Sequence, residues 1–116
     1  MRINEEKGFV LFDGAMGTML QAAGILSAGA IPELLNLSHP EDITKIHQKY
    51  IEAGCQVATT NTFGANAKKL SGCGASVEEV IRAAVRNAKN ANPKYVALDI
   101  GPTGQLLAPM GTMSFE

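Results

Sequence analysis

The chain has 116 residues, 46% of them hydrophobic and 18% charged, with ten basic against eleven acidic side chains and a formal net charge of −1. That length suits one compact domain or a piece of a larger one, and the apolar fraction can build a core, which argues against disorder. No basic surplus exists to hold a phosphate backbone, Trp is absent, and twelve glycines without period argue against collagen, so nucleic acid is not the expected partner.

Arg2, Glu5, Glu6 and Lys7 precede only four apolar residues, Phe9 to Phe12, which is unlike a signal peptide. No stretch approaches the ~20 apolar residues of a membrane span. Cys55 and Cys73 could form one bridge at most, and the economical expectation is a cytoplasmic chain with free thiols and no membrane contact.

The run Phe9-Val10-Leu11-Phe12 suits a strand buried on both faces of a parallel sheet, ending at Asp13-Gly14. A helix is expected from about Gly17 to Ala23, stopped by Gly24. Gly29 to Leu37, with Pro32, reads as an irregular connection. Ser38 and Glu41 form a capping box for a helix carrying Ile43, Ile46, Tyr50 and Ile51, closed by Gly54. Gln56 to Thr60 reads as a second strand, and Lys68 to Gly74 as partly loop. Ser76 and Glu79 form a second capping box, ahead of a stripe of Val80, Ile81, Ala84, Val85 and Ala88. Pro93 follows, then a third strand, Tyr95 to Leu98, ending at Asp99-Ile100-Gly101-Pro102. Strands alternating with helices define an α/β fold with parallel pairing and right-handed crossovers. Three strands make a small parallel sheet, so the chain is expected to be truncated.

Each predicted strand turns polar at its C-terminal end: at Asp13, at Thr60-Asn61-Thr62 and at Asp99. Parallel α/β sheets bind ligands at that edge. Asp13-Gly14-Ala15-Met16-Gly17-Thr18 is neither a dinucleotide fingerprint nor a P-loop. Its glycines bare backbone N–H groups where a helix opens, which makes a carboxylate seat, and Asp13 beside it could take an ammonium group. Together these describe a site for an α-amino acid; the alternative for Asp13 is a helix cap. His47 reads as a satisfied packing histidine and Met16, Met19 and Leu20 as core. Lys68, Lys69, Arg82, Arg86 and Lys89 read as a solvated helix face. Cys55 and Cys73 lack C-x-x-C or zinc-finger spacing, so no metal ligands are assigned within the chain.

The turn Asp13 to Gln21, with Pro32-Glu33-Leu34-Leu35-Asn36-Leu37, Thr60-Asn61-Thr62-Phe63-Gly64-Ala65 and Asp99-Ile100-Gly101-Pro102-Thr103-Gly104, resembles the homocysteine S-methyltransferase domain of cobalamin-dependent methionine synthases. Four motifs in register, from Phe9 to the last residue, are more specific than any one. The resemblance implies a (β/α)8 barrel of which residues 1–116 are the N-terminal part, about three βα units. It implies homocysteine as substrate, seated by Asp13, Gly14, Ala15, Met16, Gly17 and Thr18, with Asn61, Thr62 and Asp99 lining the same mouth. It further implies a zinc ion that activates the substrate thiol, and methylcobalamin on another domain, recharged from methyltetrahydrofolate on a third. The family's zinc cysteines sit in Asn-Cys and Gly-Gly-Cys-Cys-Gly turns, which do not occur here. The zinc ligands are therefore expected outside this chain, no catalytic residue is assigned within it, and the chain alone is expected to be inactive. Two alternatives stay open: a corrinoid-independent homocysteine methyltransferase, and a non-catalytic truncated barrel. The open edge of the third strand, Tyr95 to Ile100, is expected to promote self-association.

Overall fold

The computed structural model describes residues 8–27, 29–67 and 69–101. The expectations that rest on Pro102 to Gly104 and on the N-terminal segment before Gly8 lie outside the described residues. The elements in order are α1 (Gly17–Ala22), a 3₁₀ turn (Pro32–Leu34), α2 (Leu35–Ser38), α3 (Pro40–Glu52), β1 (Val57–Thr59), α4 (Val77–Asn90) and β2 (Tyr95–Ala97).

β1 and β2 pair in parallel, with Val57 opposite Tyr95, Ala58 opposite Val96 and Thr59 opposite Ala97. On the other side of β1 runs the segment Leu11 to Asp13. It makes one isolated parallel bridge, Phe12 to Val57, rather than a full strand. Gln56 N–H and Val57 N–H donate to Leu11 O, at 2.8 and 3.3 Å, and Asp13 N–H donates to Val57 O at 3.2 Å. The segment is not buried on both faces as expected, since Phe9 and Phe12 are 86% and 51% exposed. Position beside β1 is set by hydrogen bonding, whereas burial needs neighbours on both faces, which the described residues do not supply.

Parallel strands cannot be joined by a tight turn, so helices carry the chain back between them. α3 follows the first segment and leads into β1, and α4 separates β1 from β2. Helix α3 ends at Glu52, ahead of Gly54 at φ +112°, a conformation that L side chains rarely adopt. The core lies on the inner faces of these helices. Leu20, Leu35, Ile43 and Ile46 form one buried cluster, with Met16, Met19, Ile25, Leu26 and Tyr50 packed against it. Val57, Ala58, Val80, Ala83, Ala84 and Ala88 are buried as well. Ile81 and Val85, expected in that stripe, are only half-buried, and Ala83 and Asn87 take the inner face instead.

Two sequence expectations need correction here. The stretch Gly29 to Leu37 is not irregular throughout, because a 3₁₀ turn and a short helix occupy Pro32 to Ser38. Consequently Ser38 is the last residue of α2 and does not cap α3. Its hydroxyl lies 2.8 Å from His39 Nδ1 and 3.4 Å from Leu34 O. His39, at φ −134° and ψ 55°, forms the break between the helices, as a residue before proline tends to, and Pro40 opens α3. Ser76, by contrast, is extended at φ −85° and ψ 156°, and its hydroxyl accepts the Glu79 N–H at 3.1 Å. Among the described residues no helix is long and apolar enough to cross a membrane.

The two serines should therefore differ in thermal unfolding. Ser76→Ala should cost about 1 kcal/mol, the usual value of an N-cap, whereas Ser38→Ala should cost clearly less. Equal losses would contradict the assignment of a single serine cap.

Candidate functional site

A cavity of 430 Å³ opens at the C-terminal ends of the strands. That volume is within the ~300–1,000 Å³ range of small-molecule sites. One wall is the turn Gly14, Ala15, Met16 and Gly17, which leads into α1. A second is the stretch from Thr59 to Phe63 that follows β1, and Asp99, beyond β2, completes that side. Pro32 and Glu33, from the 3₁₀ turn, supply the rest.

Of the nine residues singled out from sequence, Gly14, Ala15, Met16, Gly17, Asn61, Thr62 and Asp99 thus border one cavity. Thr18 and Asp13 are not among its lining residues. Pro32, Glu33, Thr59, Thr60 and Phe63 line it without having been assigned to it. A signal for Glu33 exists in the sequence: it is the one acid in the apolar stretch Ala30-Ile31-Pro32-Glu33-Leu34-Leu35.

The rim is held by side chains that bond backbone. Thr62 Oγ1 donates to Asp99 O at 2.6 Å, and Asp99 N–H donates to Thr60 Oγ1 at 3.2 Å. The two hydroxyls are 2.7 Å apart. Since the Thr62 proton goes to Asp99 O, Thr60 donates to Thr62, and the three bonds close a ring between the ends of β1 and β2. Behind the rim, Asn36 Nδ2 donates to Glu33 O at 2.9 Å and to Asn61 O at 2.7 Å. Asn61 Nδ2 donates to Pro32 O at 2.9 Å, and Asn87 Nδ2 on α4 donates to Asn36 O at 3.1 Å. The glycine turn is buttressed from α3, where the Tyr50 hydroxyl donates to Ala15 O at 2.6 Å.

Asp13 lies below this surface. Its side chain is 3% exposed and its Oδ2 accepts the Thr59 N–H at 3.1 Å, which ties the first segment to β1. His47 Nδ1 on α3 is 3.8 Å from the same oxygen, beyond hydrogen-bond reach. His47 is completely buried, as expected of a packing histidine, but it is not satisfied: among the described residues neither ring nitrogen has a hydrogen-bond partner, nor has Asp13 Oδ1. Burial alone would raise the Asp13 pKa; the His47 ring, the Thr59 hydroxyl and the Thr59 N–H together hold it below the ordinary carboxylate value. Burial raises the Tyr50 pKa, and Asp13 and Cys55 add to that shift.

A larger groove of 550 Å³ lies between α3 and α4. Its buried polar residues, Asn36 and Asn87, are already bonded to each other and to backbone. The cysteines do not fit the zinc ion that the family resemblance implies. Cys55 precedes β1, at the end away from the cavity, and its thiol donates to Phe12 O at 3.4 Å. The Cys73 thiol is 3.9 Å from Lys69 O and Ser71 O. Among the described residues no three His, Cys, Asp or Glu side chains gather where they could hold a metal.

Helices returning between parallel strands, with a cavity at the C-terminal strand ends, define an α/β domain of the ligand-binding kind. The family model of the homocysteine S-methyltransferases matches residues 10–116, and the chain belongs to that family. Over 63 residues it is 43% identical to a methionine synthase of Mycobacterium tuberculosis, and 41% identical to that of Mycobacterium leprae. Each match spans 50% of this chain and 5% of the relative's length. A betaine–homocysteine S-methyltransferase of Sus scrofa is 33% identical over 72 residues, which cover 62% of this chain and 26% of that protein. The fold is similar to that of the homocysteine methyltransferase MmuM from Escherichia coli in its oxidized form, with a TM-score of 0.79 and 26% identity. That match covers 88% of this chain and 40% of the other. The metallated form of the same enzyme matches with a TM-score of 0.73, 27% identity, and coverage of 84% and 40%.

The lowered Asp13 pKa has a sign that can be measured. A carboxyl held below its unfolded value contributes stability above about pH 4, and that stability is lost as the pH falls through the folded value. Wild-type protein should therefore lose stability in acid that Asp13→Asn does not lose, in urea titrations at descending pH. Parallel acid limbs for the two proteins would contradict the burial and bonding described for Asp13.

Proposed function

We propose that the cavity seats the amino-acid portion of homocysteine and that the chain serves the transfer of a methyl group to the sulfur of that substrate. The observation that carries this reading is the convergence of the glycine turn, Asn61, Thr62 and Asp99 on one cavity, in a chain that belongs to the homocysteine S-methyltransferase family. In this proposal Gly14, Ala15, Met16 and Gly17 form the wall that meets the substrate, and Asn61, Thr62 and Asp99 line its mouth. Asp13 supports the turn from behind through its bond to Thr59 N–H, and Thr18 continues the turn into α1.

The fold belongs to the same proposal. Residues 1–116 form the N-terminal part of a (β/α)8 barrel domain. The likeness to 40% of the Escherichia coli enzyme supports this, as does the parallel pairing of β1 and β2 across α4. The higher identity to methionine synthases than to the betaine-using enzyme favours methylcobalamin as donor, carried on a separate domain and recharged from methyltetrahydrofolate. The zinc ligands of such a domain lie outside this chain. Both cysteines of the chain are free, in keeping with a cytoplasmic protein.

Calorimetric titration with L-homocysteine tests the seat. Saturable binding with a Kd at or below about 1 mM is expected, equivalent to about 4 kcal/mol. A Cβ at Gly17 would meet no atom within 4 Å, so Gly17→Val should leave the unfolding midpoint near that of the wild type. It should nevertheless weaken binding about tenfold by narrowing the cavity. No detectable binding by the wild type, or identical binding by Gly17→Val, would contradict the reading.

A further inference from the structure

The two glycines of the cavity turn are glycines for different reasons. The backbone at Gly14 lies outside the left-handed region, so its conformation does not call for a glycine. A Cβ there would instead lie 3.0 Å from the Tyr50 hydroxyl oxygen and 3.1 and 3.3 Å from Cε1 and Cζ of the same ring, tighter than ordinary van der Waals contact. At Gly17 a Cβ would meet nothing within 4 Å. The Tyr50 ring thus lies directly against the backbone at Gly14, and its hydroxyl donates to the carbonyl of the next residue, Ala15, at 2.6 Å.

Tyr50 is itself well anchored. It lies in the last turn of α3, its carbonyl accepts the Cys55 N–H at 3.1 Å, and it packs against the buried cluster of Leu20, Leu35, Ile43 and Ile46. Burial raises the pKa of its hydroxyl, and Asp13 and Cys55 add to the shift, so the donor keeps its proton throughout the neutral range.

The two ends of the turn are held separately. Asp13 Oδ2 accepts the Thr59 N–H at 3.1 Å on one side, and Leu20 of α1 is buried in the same apolar cluster on the other. Tyr50 grips the turn between these anchors. It does not line the cavity, whereas Gly14 to Gly17 do, so its effect on a ligand passes through the turn. Glycine-rich backbone loses the most conformational freedom on ordering, and a contact that orders it beforehand removes that cost from the binding step.

We propose that Tyr50 is a positioning residue of the substrate seat: by abutting Gly14 and holding the Ala15 carbonyl, it fixes the cavity wall before the ligand arrives. The inference rests on the homocysteine reading and adds to it the side chain of α3 that sets the wall.

The test follows ¹⁵N-labelled wild type, Tyr50→Phe, Gly14→Ala and the double variant by NMR, first without ligand and then through titration with L-homocysteine. Tyr50→Phe keeps the ring and removes only the hydroxyl. Without ligand it should move the amide nitrogen of Met16, which shares a peptide group with Ala15 O, and leave those of Val57 to Thr59 in place. It should weaken homocysteine binding about three- to tenfold, the loss of one net hydrogen bond. Gly14→Ala, whose methyl group has to displace the Tyr50 ring, should weaken binding in the same direction. The double variant should bind no more weakly than Gly14→Ala alone, because the bond to Ala15 O is already broken. If Gly14→Ala does not fold, Tyr50→Phe decides. A Tyr50→Phe protein that unfolds more easily yet binds homocysteine as the wild type does would overturn the assignment and leave the homocysteine reading standing. An unmoved Met16 amide, or independent losses from the two changes, would do the same. A wild type that binds no homocysteine would overturn that reading, and the role of Tyr50 in it, whatever happens at Met16.

Discussion

The parallel placement of β1 between the Leu11–Asp13 segment and β2 is the constraint on which the site depends. Antiparallel neighbours would put successive strand ends at opposite edges of the sheet. Parallel ones put them together, so the residues that follow each strand meet. The bonds are few: the Leu11, Asp13 and Val57 backbone contacts on one side and three residue pairs on the other. They suffice to bring the glycine turn, the Thr59–Phe63 stretch and Asp99 around one cavity.

What holds the cavity in shape is polar rather than apolar. Thr60 and Thr62 are almost fully buried, yet each hydroxyl is bonded, and their ring with Asp99 couples the two strand ends. Asn36 and Asn87 carry the same coupling outward to α2 and α4. Buried polar groups of this sort are tolerated because they are satisfied, and a satisfied network fixes one geometry more narrowly than an apolar contact does. Among the described residues the buried groups without a hydrogen-bond partner stand apart from it: both ring nitrogens of His47, one oxygen of Asp13 and Asn66 Nδ2.

Long-range order was legible in the sequence wherever periodicity is strong. α3 and α4 follow their apolar spacing, and the two strands lie within the apolar runs that mark them. Local rules failed where a neighbouring residue overrode them. Ser38 has the capping-box pattern, but Pro40 forces the break to His39 and the preceding residues are already helical. Burial was the least legible property. Phe9 and Phe12 read as core and are exposed, while nothing in the local pattern marked Glu33 as buried, and Gly64, far along the chain, leaves the space its carboxylate occupies. Most of the cavity lining was visible because strand ends and glycines mark it. Asp13 was assigned to the lining on proximity in sequence, and the side-chain direction that takes it below the turn is a property of packing with Thr59 and His47.

The central claim is that the polar edge of this parallel sheet is where the substrate binds. Amide chemical shifts followed during titration of ¹⁵N-labelled protein with L-homocysteine test it residue by residue. The account predicts perturbations concentrated in Gly14 to Gly17, Glu33, Thr59 to Phe63 and Asp99, with the outer helix groove of Lys45, Gln48 and Arg86 unaffected. Perturbations confined to that groove, or none anywhere at saturating ligand, would contradict it.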